Sequence, residues 1–225
     1  MIKINADISI ADRWPLNIFP IAPGQQRQFV SSGTDYILLR NASYSSHEVD
    51  FKGVHGALAV SAETEYTVCC GMDASAFVVR YPGLRLEEQR YFTQKNLDIG
   101  NLSYMDGGTN TTAINPGRLG DPVVNYVHFP SNMYQTLHTH PSHRVGLILS
   151  GNGKVELNNK EMFNLEEGSA FFMRRNELHN FITGDVPVVL FVFAPDSGCG
   201  PTDEVNALKV RTYIGQQRGQ QNDER

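Results

Sequence analysis

The chain has 225 residues, a net charge of −5 and 19% charged side chains, enough to bury a sizeable core but with no basic field for nucleic acid or an anionic membrane. Its longest apolar runs, such as Val186 to Ala194, are too short to span a bilayer. Met1 to Asp7 lacks an apolar signal region, so the three cysteines read as free thiols of a cytoplasmic protein.

Trp14-Pro15 reads as the anchor of an extended N-terminal arm. Strand signals then dominate, with Val, Ile, Phe, Tyr and Thr runs at Asp35–Arg40, Ala57–Ser61, Tyr66–Cys70 and Phe77–Tyr81. Adjacent Cys69 and Cys70 fall in such a run, as small buried hydrophobes and not a redox pair. The best helical pattern is a short turn near Leu84–Arg90. Tyr91 to Asp121 is rich in Asn, Gly, Thr and Asp and reads as a long connection; its N-x-[ST] contexts at Asn101 and Asn110 mean nothing in a cytoplasmic chain. Further strands are predicted at Val123–Phe129, Tyr134–His138, Val145–Leu149, Lys154–Leu157, Ala170–Arg174 and Val188–Phe193. Gly151-Asn152-Gly153 makes a hairpin connection between two of them. Gly215 to Arg225 has no apolar anchor and is expected to be a disordered tail.

The predicted class is therefore all-β, a sandwich or barrel. It divides into a strand-rich block at 1–100, a connection at 101–121, a second block at 122–214 and the tail at 215–225. No phosphate-binding glycine loop, G-x-S-x-G elbow or C-x-x-C pair is present.

The chemistry concentrates in the second block. His138 and His140, two apart, share one face of a strand, and a third imidazole from a neighbouring strand, His179, could complete three nitrogen ligands for a divalent metal. His143 should point to the other face, although Pro141 interrupts strict alternation and leaves it open as a ligand. His47, His55 and His128 have no partner spacing and read as structural. Tyr126, Tyr134, Phe172, Phe191 and Phe193 either line a pocket beside the metal or are plain core.

This text resembles the cupin superfamily over about residues 122 to 195. His138-Thr139-His140, three residues, Arg144, six residues and Gly151 are similar to the first cupin motif in its germin version with one residue deleted. Gly168 and His179 match the spacing of the second motif, with Arg174 and Asn176 where it has proline and glycine. The resemblance implies a jelly-roll barrel in the C-terminal half and a homodimer or, if the N-terminal block is a degenerate second cupin barrel, an internal mimic of one. It also implies a metal held by His138, His140 and His179, with Fe(II) favoured and Zn, Mn or Ni as alternatives.

Arg144 stands where cupins usually supply a glutamate ligand, and guanidinium cannot coordinate. Either three histidines hold the metal while Arg144 pairs with a substrate carboxylate, or the arginine turns outward into a salt bridge with Glu166, Glu167 or Glu177 and the site is weak or vacant. The first case is similar to cupin dioxygenases that act on diketones, thiols or hydroxylated aromatic acids. Arg144 and Tyr134 are then the catalytic candidates, and the partner is a small organic acid. Two alternatives are a sugar-acid isomerase or lyase of bicupin type and a non-catalytic small-molecule-binding cupin.

Overall fold

The computed structural model describes residues 1–197; Cys199 and the tail expected at 215–225 lie outside the described residues. The first block contains β1 (Ile2–Lys3), β2 (Ile8–Ile10), β3 (Leu16–Ile21), β4 (Gln26–Val30), β5 (Thr34–Ser46), β6 (Asp50–Val60), β7 (Glu65–Cys69), β8 (Ser75–Tyr81) and β9 (Arg90–Gln94). The second contains β10 (Leu102–Ser103), β11 (Thr109–Ile114), β12 (Val123–Phe129), β13 (Arg144–Ser150), β14 (Gly153–Leu157), β15 (Met162–Leu165), β16 (Ala170–Met173), β17 (His179–Thr183) and β18 (Val188–Ala194). Among the described residues the only helical element is a 3-10 turn, Met105–Gly107, and no helix is long and apolar enough to cross a membrane.

The first block forms one sheet in the order β2-β3-β8-β5-β6-β9, and β7, with β4 beyond it, joins the far half of β5. β5 pairs with β8 up to Arg40 and with β7 from Ser43. Asn41, at φ 49°, marks the bend between these halves. The second block sets the sheet β1-β16-β13-β18-β12-β11-β10 against a smaller one, β15-β14-β17. Both blocks are jelly-roll-like.

Side-chain parity sorts the apolar residues into three cores, because successive residues of a strand face opposite sides. In β5, Ile37 and Leu39 fill the first block, whereas Tyr36 and Leu38 face the second. In β18, Val188 and Leu190 point into the second block, whereas Val189, Phe191 and Phe193 pack against the first. The sheets thus share a dry junction, with Tyr36 and Phe193 ring centroids 4.9 Å apart. Strands buried on both faces explain the unbroken apolar runs in the sequence.

Three local expectations change. Leu84–Arg90 is not helical: after the turn at Gly83 (φ 83°), Leu84 and Leu86 both pack on the junction core, a spacing of two and not of helix. Strands β9, β10 and β11 run within the segment expected to be a bare connection. Tyr134–His138 is not a continuous strand but two isolated bridges, Tyr134 to Ile182 and His138 to His179. Between them the buried Gln135 side chain accepts the Phe181 amide proton at 3.2 Å, taking a place that backbone would hold in a regular ladder.

Candidate metal centre

His138 forms the last of those bridges with His179, which opens β17 directly opposite, and His140 follows two residues on. Backbone amides of His138 and His179 exchange hydrogen bonds of 3.0 Å, which places the rings side by side. Ring centroids lie 4.4 Å apart for His138 and His179, 4.8 Å for His138 and His140, and 5.3 Å for His140 and His179. Three potential ligand nitrogens, one per ring, all fall within 4.8 Å of one another. The strand expected to carry the pair is interrupted, yet the spacing of two still aims both rings at His179.

Two of the rings are oriented by main-chain carbonyls. His138 Nδ1 donates to the Thr136 carbonyl at 2.9 Å, and His179 Nδ1 to the Glu177 carbonyl at 2.7 Å. A carbonyl only accepts, so in each ring Nδ1 holds the proton and Nε2 keeps its lone pair. Among the described residues His179 Nε2 is buried without a protein partner, as is His140 Nδ1. Burial holds all three rings neutral: His138 is shifted below its ordinary value, His140 well below, and His179 down to about 3. Neighbouring rings add to the shift at His140 and His179, and the Arg144 charge adds to it at all three. Neutral imidazoles with orphaned lone pairs fit a divalent cation.

The triad opens into a cavity of about 120 Å3, lined on its apolar side by Val127, Phe171, Leu190 and Val192 and on its polar side by Tyr104, Asn110, Gln135 and Arg144. A Cβ at Gly146 would meet Phe171 at 2.2 Å, so glycine is what lets that ring lie across the barrel. Arg144 Nη1 donates to the Ser142 hydroxyl and the His143 carbonyl, both at 2.8 Å, which holds the guanidinium at the cavity. The three glutamates considered as its partners are engaged elsewhere: Glu166 with Lys3, Glu167 with Arg40 and Glu177 with the Met1 amino group.

His143 faces away from the triad. Its Nδ1 accepts the Arg175 amide at 3.1 Å, so Nε2 carries the proton and donates to Asp12 at 2.9 Å. Burial opposes ionisation of Asp12, but the Trp14 amide, His143 and Arg175 together hold its carboxyl below the usual range. Trp14 packs edge-on to the same ring at 6.1 Å. His47, His55 and His128 do not join the cluster among the described residues.

Tyr134, a catalytic candidate in the sequence, is outside the cavity lining: it is 43% exposed and its hydroxyl donates to Glu156. Tyr126, Phe172, Phe191 and Phe193 belong to the junction core, one residue out of phase with the cavity wall. Sequence reasoning missed Tyr104, Asn110 and Gln135. Asn110 Nδ2 donates to Asn125 at 3.3 Å, while its buried Oδ1 has no protein partner among the described residues. Burial pushes the Tyr104 hydroxyl up to about 12 against the pull of Arg144, so it stays protonated.

Residues 120–198 match the family model of the AraC-like ligand binding domain. No curated protein matches the sequence. Similar solved structures include a protein of unknown function from Pseudomonas syringae pv. tomato, at 11% identity and TM-score 0.59 over 82% of this chain and 84% of that one. A cupin 2 conserved barrel domain protein from Leptotrichia buccalis follows at 13% and 0.55, over 87% and 92%. Salicylate 1,2-dioxygenase from Pseudaminobacter salicylatoxidans is 10% identical with TM-score 0.54, over 84% and 76%. These likenesses span most of both blocks, and the chain is a cupin by fold.

Proposed function

We propose that the second block is the site of a metal-dependent enzyme acting on a small organic acid, with oxygen insertion as the first choice of chemistry. The observation that carries this reading is the meeting of three neutral imidazoles, two buried and one half-buried, with one guanidinium in a single cavity. His138, His140 and His179 would hold the ion. When bound, a divalent metal would supply Lewis acidity and, as Fe(II), the favoured ion, also the electrons that oxygen chemistry needs and that Zn(II) cannot give.

The chain's own residues do the rest. Arg144 binds and orients the substrate carboxylate, Asn110 Oδ1 accepts a hydrogen bond from a substrate hydroxyl, and Phe171, Leu190 and Val192 exclude water. A cavity of about 120 Å3 is smaller than the roughly 150 Å3 that accommodates benzene, which favours short acids over aromatic ones. The reading includes a homodimer in the cytoplasm, checked by light scattering and fractionation.

Oxygen uptake tests the chemistry. Protein purified anaerobically and reloaded with Fe(II) is offered short 2-hydroxy and 2-oxo acids, with salicylate as the bulky comparison. Uptake with a short acid that is lost in Arg144→Gln is expected; no uptake with any acid rejects oxygen insertion. Turnover without oxygen would point to an isomerase or lyase. The AraC-like match favours a second reading, a ligand sensor without turnover, whose sign is small-molecule binding that survives chelation.

A further inference from the structure

One wall of the cavity comes from outside the two histidine-bearing segments. Strands β10 and β11 form a hairpin, pairing Leu102 with Asn110 and Ser103 with Thr109, and its tip is the 3-10 turn. Tyr104 and Asn110 of this hairpin line the cavity. At the tip, Asp106 adopts a left-handed backbone, φ 56° and ψ 32°, followed by Gly107 at φ 82°. A non-glycine residue in that region is strained, aspartate less than most, and persists where its surroundings demand it.

What demands it here is Thr136. Asp106 Oδ2 accepts the Thr136 amide proton at 2.5 Å, and Oδ1 accepts the Thr136 hydroxyl proton at 3.1 Å. Thr136 in turn offers its carbonyl to His138 Nδ1 at 2.9 Å. Residues 135–137 lie in an interrupted ladder between two isolated bridges, so sheet bonding alone does not set the direction of that carbonyl. Both carboxylate oxygens of one acidic residue close the gap.

We propose that Asp106 is a positioning residue for His138, acting through Thr136 to set the ring's tautomer and aim. The proposal rests on the metal-site reading above for its consequence, but not for its geometry. Glycine at position 106 relieves the backbone and deletes the carboxylate, so it separates fold from positioning. Asparagine keeps an acceptor for the amide and serves as the conservative rescue. Thr136→Val removes only the hydroxyl bond.

The test has two readouts on the full chain. Long-range proton–nitrogen NMR of the metal-free protein reads the His138 tautomer. A single Nδ1-protonated form is expected in the wild type and D106N, and a mixture in D106A and D106G. Calorimetric titration with Co(II), with its visible spectrum, reads the site: D106A and D106G weaken binding about 10- to 100-fold and shift the spectrum, D106N recovers most of it, and T136V loses less than threefold. D106G that melts no lower than the wild type yet shows these changes supports positioning. D106G with one tautomer and unchanged Co(II) affinity overturns it. If the wild type binds no Co(II), the metal reading fails by itself, and the tautomer still decides the role of Asp106.

Discussion

Each block buries a prominent ionisable side chain, Asp35 in the first and His179 in the second, and the two are treated in opposite ways. In the first, Asp35 is fully buried and saturated: Arg80 grips it with Nε at 2.7 Å and Nη2 at 2.8 Å, and the Tyr66 hydroxyl donates at 2.6 Å. Aliphatics such as Ile37, Leu39, Val68 and Val78 fill the space around this cluster. The second block instead buries His179 and leaves its Nε2 without a protein partner among the described residues. A satisfied buried group fixes a fold; an orphaned one costs stability and marks a place reserved for something else. The first block thus holds a saturated ion cluster, and the second an unsatisfied histidine ring.

The sharpest way to break that contrast is to unsaturate the scaffold. Asp35→Ala leaves the Arg80 guanidinium, 14% exposed, without its carboxylate, and should destabilise the chain by about 3–5 kcal/mol in urea unfolding. A loss below about 1 kcal/mol would mean the cluster is not a structural clamp.

Next in size is the removal of a ligand from the site. With Zn(II) at a hundredfold excess over its dissociation constant, wild type should gain about 2.7 kcal/mol, read by denaturation with and without chelator. His179→Ala should gain nothing, while its metal-free stability stays close to that of the wild type. Equal gains in both proteins would remove the histidines from metal binding.

Acidification separates the blocks more finely. The folded metal-free protein keeps His138, His140 and His179 neutral below the ordinary histidine value, whereas the unfolded chain protonates there. The unfolded state then binds more protons, so stability falls as pH drops below about 6.5, by up to about 1.4 kcal/mol per unit for each histidine. For His179 the window extends down to about 3. A variant with all three changed to glutamine should show a shallower slope in pH-dependent unfolding.

The smallest effect is a rate. Burial pushes the Cys70 thiol in the first block up to about 11, leaving about one thiolate per thousand at pH 8. Alkylation of Cys70, read by mass spectrometry, should be slow in the native protein and fast in urea.

The histidine triad was legible because a spacing of two survives even where the ladder fails, and because Asn176, at φ 58°, takes the left-handed turn position that glycine holds in the motif. Val123–Phe129 was legible to the residue, since it is apolar on both faces. The cavity wall was not. Aromatic Phe191 stood out in the sequence, but its neighbours Leu190 and Val192 face the site, and parity is set by which sheet packs on which. Asn110 was dismissed for the motif it sits in, and Tyr104 and Asp106 reach the histidines only when β10 and β11 fold over. Tyr134 carried a signal of the right type and turned outward, because its bridge to Ile182 precedes the break at Gln135.

The dry junction has one more consequence. Along β18 every second residue speaks to the neighbouring block and every other one to the cavity, so the two sets are free to diverge separately. Exchanging Leu190 or Val192 redraws the chamber while Val189, Phe191 and Phe193 keep the halves locked. The shape of the chamber can therefore vary on a strand whose other face never registers the change.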